Sequence, residues 1–147
     1  MARLEIDFPE QALFVARIPI RIGDINYGGH LGNEAVLALA QEARVQFLVA
    51  HGWSELDIEG TSLLMIDAAL VYTAMGLYGM HLRVELGLAE ARTRGCDLVY
   101  RMSDEATGHE IARVRTGLVF RDRSTGKLVR MPEALKQVLA PAGRLTR

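Results

Sequence analysis

The stretch that decides the reading is Arg21-Ile22-Gly23-Asp24-Ile25-Asn26-Tyr27-Gly28-Gly29-His30, continued by LGNEAVLALAQEARVQFLVA over 31–50. The segment before it, QALFVARIPIRI over 11–22, is apolar and β-branched, and Pro19 places it at a sheet edge or a strand end. Residues 31–50 have helix-forming composition, with no proline and only Gly32 near the start, and would span about 30 Å. Asp24, Asn26, His30 and the pair Gly28-Gly29 are therefore concentrated where a strand hands over to a helix. Backbone N–H groups and the positive end of a helix dipole are available there to an anionic or carbonyl ligand.

Little of this helix is polar. Between Ala35 and Ala50 only Gln41, Glu42, Arg44 and Gln46 interrupt the apolar run, too few to cover a solvated face. A helix apolar nearly all round is buried on most sides, and a small domain achieves this by curling a sheet around it or covering it with a partner subunit. His51-Gly52 stops the helix, and 53–60, with acids at Glu55, Asp57 and Glu59, is expected to be a loop with at most one helical turn.

Strand-like runs then follow at 62–73, 80–92, 96–103 and 110–121. Apolar and charged residues alternate through Leu82-Arg83-Val84-Glu85-Leu86, the mark of an antiparallel strand with one wet face. Thr93-Arg94-Gly95, Ala106-Thr107-Gly108 and Ser124-Thr125-Gly126 each place a glycine where hairpin turns need a positive φ. A short helix is expected over 132–139, with proline in its first turn, and a frayed tail from Pro141 onward. The order of strand, long apolar helix and consecutive antiparallel strands is a segregated α+β arrangement.

At 147 residues the chain has the length of one domain, with a core over about 12–135 that needs no metal or disulfide staple. Seventeen basic residues against eighteen acidic ones offer no field for a nucleic-acid partner. The single cysteine, Cys96, cannot form an internal disulfide, which points to a reducing, cytoplasmic location. The acidic N-terminal ten residues lack the features of a secretory signal, and no uncharged stretch is long enough to span a membrane. No His or Cys spacing suits a metal.

The DINYGGHLGN segment, the helix carrying QEAR and the downstream DLVYRMSDEATGHEIARVRTGLVFRDRSTGK resemble the hotdog-fold acyl-CoA thioesterases of the 4-hydroxybenzoyl-CoA thioesterase type, over roughly 12–135. The resemblance implies an antiparallel sheet wrapped around one long central helix and a homodimer or homotetramer. It also implies hydrolysis of an acyl-CoA or related acyl thioester, whose carbonyl is held at the helix N-terminus by donors among Gly28 to Asn33, with the N–H of Asn33 the best match. Coenzyme A enters as part of the substrate, and no other cofactor or metal is implied. Catalytic candidates are Asn26, Asp24, His30, Asn33 and Glu42, and substrate-binding candidates are Tyr27, Gly28, Gly29 and Glu34.

The family's turn carboxylate, four residues before the motif histidine, is Asn26 in this chain, and an amide is neither a base nor an effective nucleophile. Asp24, two residues away in an extended segment, and the helix acids Glu34 and Glu42, about 80° apart around the axis, are the alternative carboxylates. Two rivals follow: a non-hydrolytic acyl-CoA binding protein that has lost the carboxylate, and an enoyl-thioester hydratase using Asp24 and His30.

Plainer readings stand beside these. Asn-Tyr-Gly-Gly is also an ordinary tight turn, with Asn bonding its own backbone two residues on, and His30 then fixes that turn. Cys96 reads as a small buried hydrophobe, and His51, His81 and His109 as surface residues. Arg121, Arg123 and Lys127 flank a hairpin turn and are either solvated or positioned for coenzyme A phosphates. Residues 75–79 line an acyl tunnel or merely cross between strands.

Overall fold

The computed structural model describes residues 3–140 and the backbone of 145–146. In chain order the elements are β1 (Phe8–Pro9), β2 (Phe14–Pro19), a 3-10 turn at Ile22–Asp24, α1 (Asn33–Ala50), β3 (Thr61–Tyr72), β4 (His81–Arg92), β5 (Gly95–Asp104), β6 (Glu110–Asp122), β7 (Leu128–Val129), α2 (Glu133–Leu139) and β8 (Leu145–Thr146). The main sheet is antiparallel in the order β2-β4-β5-β6-β3, with β7 added to β6. Pro19 thus lies on an edge strand, where its missing N–H breaks no ladder.

The alternation read in β4 sets the packing. Leu82, Val84 and Leu86 are buried against the helix side, while Arg83 and Glu85 point outward and are only partly covered. Leu98, Tyr100 and Met102 of β5 and Val114, Leu118 and Phe120 of β6 extend that concave face. Against it lies one face of α1, namely Ala35, Val36, Leu39, Ala40, Ala43, Phe47 and Leu48. This is the hotdog fold, a sheet wrapped around one central helix.

The opposite face of the sheet carries a smaller cluster. Phe8 and Ile6 cover Val99, with the Arg101 guanidinium 4.4 Å above the Phe8 ring. Arg101 is in turn held by both carboxylate oxygens of Glu85, at 2.9 and 3.0 Å.

Several sequence expectations need correction. The helix begins at Asn33, two residues later than expected, because the N–H groups of Leu31 and Gly32 are bound to the carbonyls of Gly76 and Asp24 and Gly32 is extended. Its burial is one-sided: Ala38 and Ala50 are exposed, and Val49 is 62% exposed. Residues 53–60 hold no helical turn; paired tight turns bridge Ser54 to Asp57 and Ile58 to Thr61. The first long strand after the helix, β3, does not join its sequence neighbour but crosses to the far edge beside β6. In the tail expected to fray, 145–146 pairs with β1, while 141–144 and Arg147 lie outside the described residues.

Candidate active site

The turn before α1 is built from its own side chains. Asn26 Oδ1 accepts the N–H of Gly28 at 2.9 Å, its carbonyl accepts the N–H of Gly29, and its own N–H donates to the His30 carbonyl. Gly29, at φ 85°, takes the left-handed conformation that closes the turn. A Cβ added at Gly28 would lie 3.2 Å from Asn26 Oδ1 and 3.5 Å from His30 Nε2, so these two side chains flank the same glycine. His30 Nδ1 sits 3.3 Å from the Leu31 carbonyl. Tyr27 is fully exposed at the tip.

The donors expected among Gly28 to Asn33 divide sharply. Those of Gly28, Gly29, Leu31 and Gly32 are consumed inside the turn or by the 73–79 crossing segment. The N–H of His30 in the turn finds no acceptor among the described residues, nor do those of Asn33 and Glu34, the first two residues of α1. The latter two stand at the positive end of an 18-residue helix, where a developing oxyanion is stabilised. The Glu34 carboxylate folds back over the same spot, since a Cβ at Gly32 would lie 2.6 Å from Glu34 Oε1.

Two cavities open on either side of this helix start. One, of about 280 Å³, is lined by His30, Asn33, Val36, Met75, Gly76 and Ile111. Tyr72 also borders it and donates its hydroxyl to the Asn33 carbonyl at 3.0 Å, tying the end of β3 to the helix. The other, of about 410 Å³, lies toward β3 and holds Glu34. Of the crossing segment 75–79, Met75 and Gly76 belong to a cavity wall.

The remaining carboxylates lie elsewhere. Asp24 Oδ2 accepts the N–H of Arg21 at 2.8 Å, which closes the 3-10 turn. Asp24 and Glu42 share a third cavity of about 340 Å³ with Arg17, Arg21 and Gln46, and Glu42 accepts from Gln46 at 2.8 Å. The 80° between Glu34 and Glu42 around the helix therefore separates them onto different flanks. Asn26, Gly28 and His30 are gathered in one turn and Asn33 and Glu34 at one helix end, with Asp24 and Glu42 facing another surface.

Arg44 was missed in the sequence, where it read only as one of four polar breaks in the apolar run of the helix. It is 4% exposed, donates from Nε to Glu55 at 2.6 Å and from Nη1 to Tyr100 at 3.0 Å, and Tyr100 meets Thr116 at 2.9 Å. Burial works against its charge, but Tyr100 and Glu55 outweigh that and hold the guanidinium above its ordinary range. Burial also pushes the Tyr100 phenol up. An arginine eleven residues before a glutamate across a helix stop is the only trace of this pair in the sequence.

Cys96 is buried, and burial with the nearby Asp97 charge pushes its thiol up to about 12, far from a nucleophile. His51 stacks on Trp53 and meets Phe47 edge-on at the helix end, while His81 and His109 are exposed. Arg121, Arg123 and Lys127 are solvated, with Arg123 paired to Asp57. Among the described residues no group of three His, Cys, Asp or Glu is placed to hold a metal, and no helix is long and apolar enough to cross a membrane.

A sheet wrapped around one central helix places the chain in the class of hotdog-fold proteins. The chain belongs to the thioesterase-like superfamily, whose family model matches residues 20–139. It is similar in fold to a 1,4-dihydroxy-2-naphthoyl-CoA thioesterase from Synechocystis, with a TM-score of 0.79 and 19% identity over 86% of this chain and 95% of that one. The PA5185 protein from Pseudomonas aeruginosa gives 0.82 and 21% over 92% and 95%. A DHNA-CoA thioesterase from Staphylococcus aureus gives 0.75 and 17% over 86% and 88%. No curated protein matches at a significant level.

Proposed function

We propose that this protein hydrolyses an acyl-CoA thioester at the start of α1. The observation that carries the reading is the pair of unbonded N–H groups on Asn33 and Glu34 between two cavities, in a chain of the thioesterase-like superfamily. The thioester carbonyl accepts from these donors, the acyl group occupies one cavity and the thiol arm the other. As negative charge grows on the carbonyl oxygen in the addition step, fixed donors lower the barrier by a few kcal/mol.

The attacking water needs a base, and Asn26 cannot supply one. Glu34 is the carboxylate folded over the helix start, whereas Asp24 is engaged by the Arg21 backbone and Glu42 faces another cavity. In this reading Glu34 takes the proton of the water, while Asn26 and His30 hold the turn that presents the donors. The substrate brings its own coenzyme A and no further cofactor is used. The protein acts in the cytoplasm as at least a homodimer, since the outer edge of β3 leaves Leu64, Met65 and Ile66 exposed.

One observation favours a second reading, acyl-CoA binding without hydrolysis: the turn position that is a carboxylate in the family is an amide, occupied in bonding Gly28. Thiol release from a panel of short, long and aromatic acyl-CoAs separates the two. The expected outcome is turnover that falls by about a hundredfold or more in Glu34→Gln and survives in Asp24→Ala and Glu42→Gln. Silence of the wild type with activity gained in Asn26→Asp selects the binding protein. Hydration of an enoyl-CoA without thiol release selects a hydratase.

A further inference from the structure

The cavity of about 410 Å³ beside α1 runs along the helix away from its start. Leu37 and Ala38 of the helix and Leu63 and Met65 of β3 give it apolar walls. Its end away from Glu34 is polar, formed by Arg44, Glu55 and Gln41. Arg44 Nε and Nη1 are engaged by Glu55 and Tyr100, but Nη2 finds no acceptor among the described residues. No fully buried side-chain nitrogen or oxygen lacks a partner among those residues, so Nη2 is not sealed in, and Arg44 lines the cavity.

Gln41 mirrors this arrangement. Its amide nitrogen donates to Glu55 Oε1 at 2.9 Å, while its oxygen receives no donor among the described residues. An otherwise apolar cavity therefore ends in one available donor and one available acceptor. A hydroxyl satisfies both, accepting from the guanidinium and donating to the amide oxygen, whereas a hydrocarbon leaves both unmet. A carboxylate is disfavoured, because Glu55 already sets a negative charge against the single positive charge of Arg44.

Position along the helix fixes where that hydroxyl lies on the ligand. Arg44 is ten residues beyond Glu34, about 15 Å of helix axis, and its side chain leans back toward the helix start. A chain whose thioester sits at the Asn33 and Glu34 donors reaches Arg44 only with its far end. We propose that this cavity receives the acyl group and selects a medium-length chain with a hydroxyl at its distal end; the inference rests on the acyl-thioester reading above.

Calorimetric titration with non-hydrolysable coenzyme A thioethers tests it without requiring turnover. The ω-hydroxydecyl thioether is expected to bind about tenfold tighter than the decyl thioether, and the ω-carboxynonyl thioether weakest of the three. Gln41 is exposed on the helix, so Gln41→Leu leaves the fold in place; it is expected to erase the hydroxyl preference, the decyl and ω-hydroxydecyl thioethers then binding alike. Equal binding of the two long thioethers by the wild type overturns this inference alone, as does a hydroxyl preference undiminished in Gln41→Leu. Binding of neither overturns it together with the reading on which it rests.

Discussion

A guanidinium withdrawn from water keeps its charge only if its surroundings replace what hydration supplied, and Arg44 meets that condition through Glu55 and Tyr100. Removing the cation leaves the Glu55 carboxylate, whose side chain is 20% exposed, without its main partner, and leaves Tyr100 bonded only to Thr116. Arg44→Met is therefore expected to cost about 3 kcal/mol of folding free energy, read as a lower urea midpoint at unchanged slope. Tyr100→Phe removes two bonds from the same chain, those to Arg44 and Thr116, and is expected to cost about 2 kcal/mol. A midpoint unmoved by Arg44→Met would mean that Glu55 is solvated well enough to stand alone. The asymmetry between the two substitutions separates a charge stranded in a low-dielectric site from the loss of one hydroxyl and its two hydrogen bonds.

Among the elements, the β4–β5 hairpin depends most closely on one missing side chain. A Cβ at Gly95 would collide with the backbone carbonyl oxygen of Leu118 on β6, and a strand backbone cannot give way as a side-chain tip can. Gly95→Ala is expected to destabilise by about 2 to 3 kcal/mol, whereas Gly108→Ala, with open space around its Cβ, pays only for its φ of 78°, about 1 kcal/mol. Thermal melts of the two variants test this ordering. The same hairpin shows what the sequence made legible. Its alternation and its antiparallel partner on β4 act between near neighbours in the chain, so local pattern was enough for them, whereas Gly95, expected to turn the hairpin with a positive φ, is instead the first residue of β5 and keeps an ordinary φ. The crossing of β3 to the far edge was not legible, because it is decided by which strands cover α1, a long-range matter that leaves no mark within 61–72. The candidate site divided the same way: Asn26 and Gly28 were readable from turn chemistry, whereas Asn33 came only through the family resemblance, the helix being expected to start two residues earlier. The burial of Arg44 was not, since its partners lie in a loop and on β5.

At the scale of the molecule, the two edges of the sheet differ in kind. β2 carries Pro19 and an exposed Arg17, features that discourage pairing with another chain. β3 is twelve residues long, and its outer edge exposes Leu64, Met65 and Ile66 with no proline or lysine to protect it. Its register shift between Met65 and Asp67 leaves Ile66 60% exposed at the middle of the strand. A long apolar edge of this type is stable in water when it pairs with itself about a two-fold axis, and an antiparallel copy extends the sheet without leaving a second free edge at the same place. Met65 lines the 410 Å³ cavity and Tyr72 holds the helix start, so a copy seated on this edge would also close the site. Light scattering is expected to give at least twice the 16.2 kDa chain mass. Ile66→Lys, which places a charge at the centre of the pairing, is expected to shift the protein toward monomer and to weaken thioether binding in parallel. A monomeric wild type would leave the edge without the proposed partner. A monomeric Ile66→Lys that still binds at full strength would show that each site is complete within one chain.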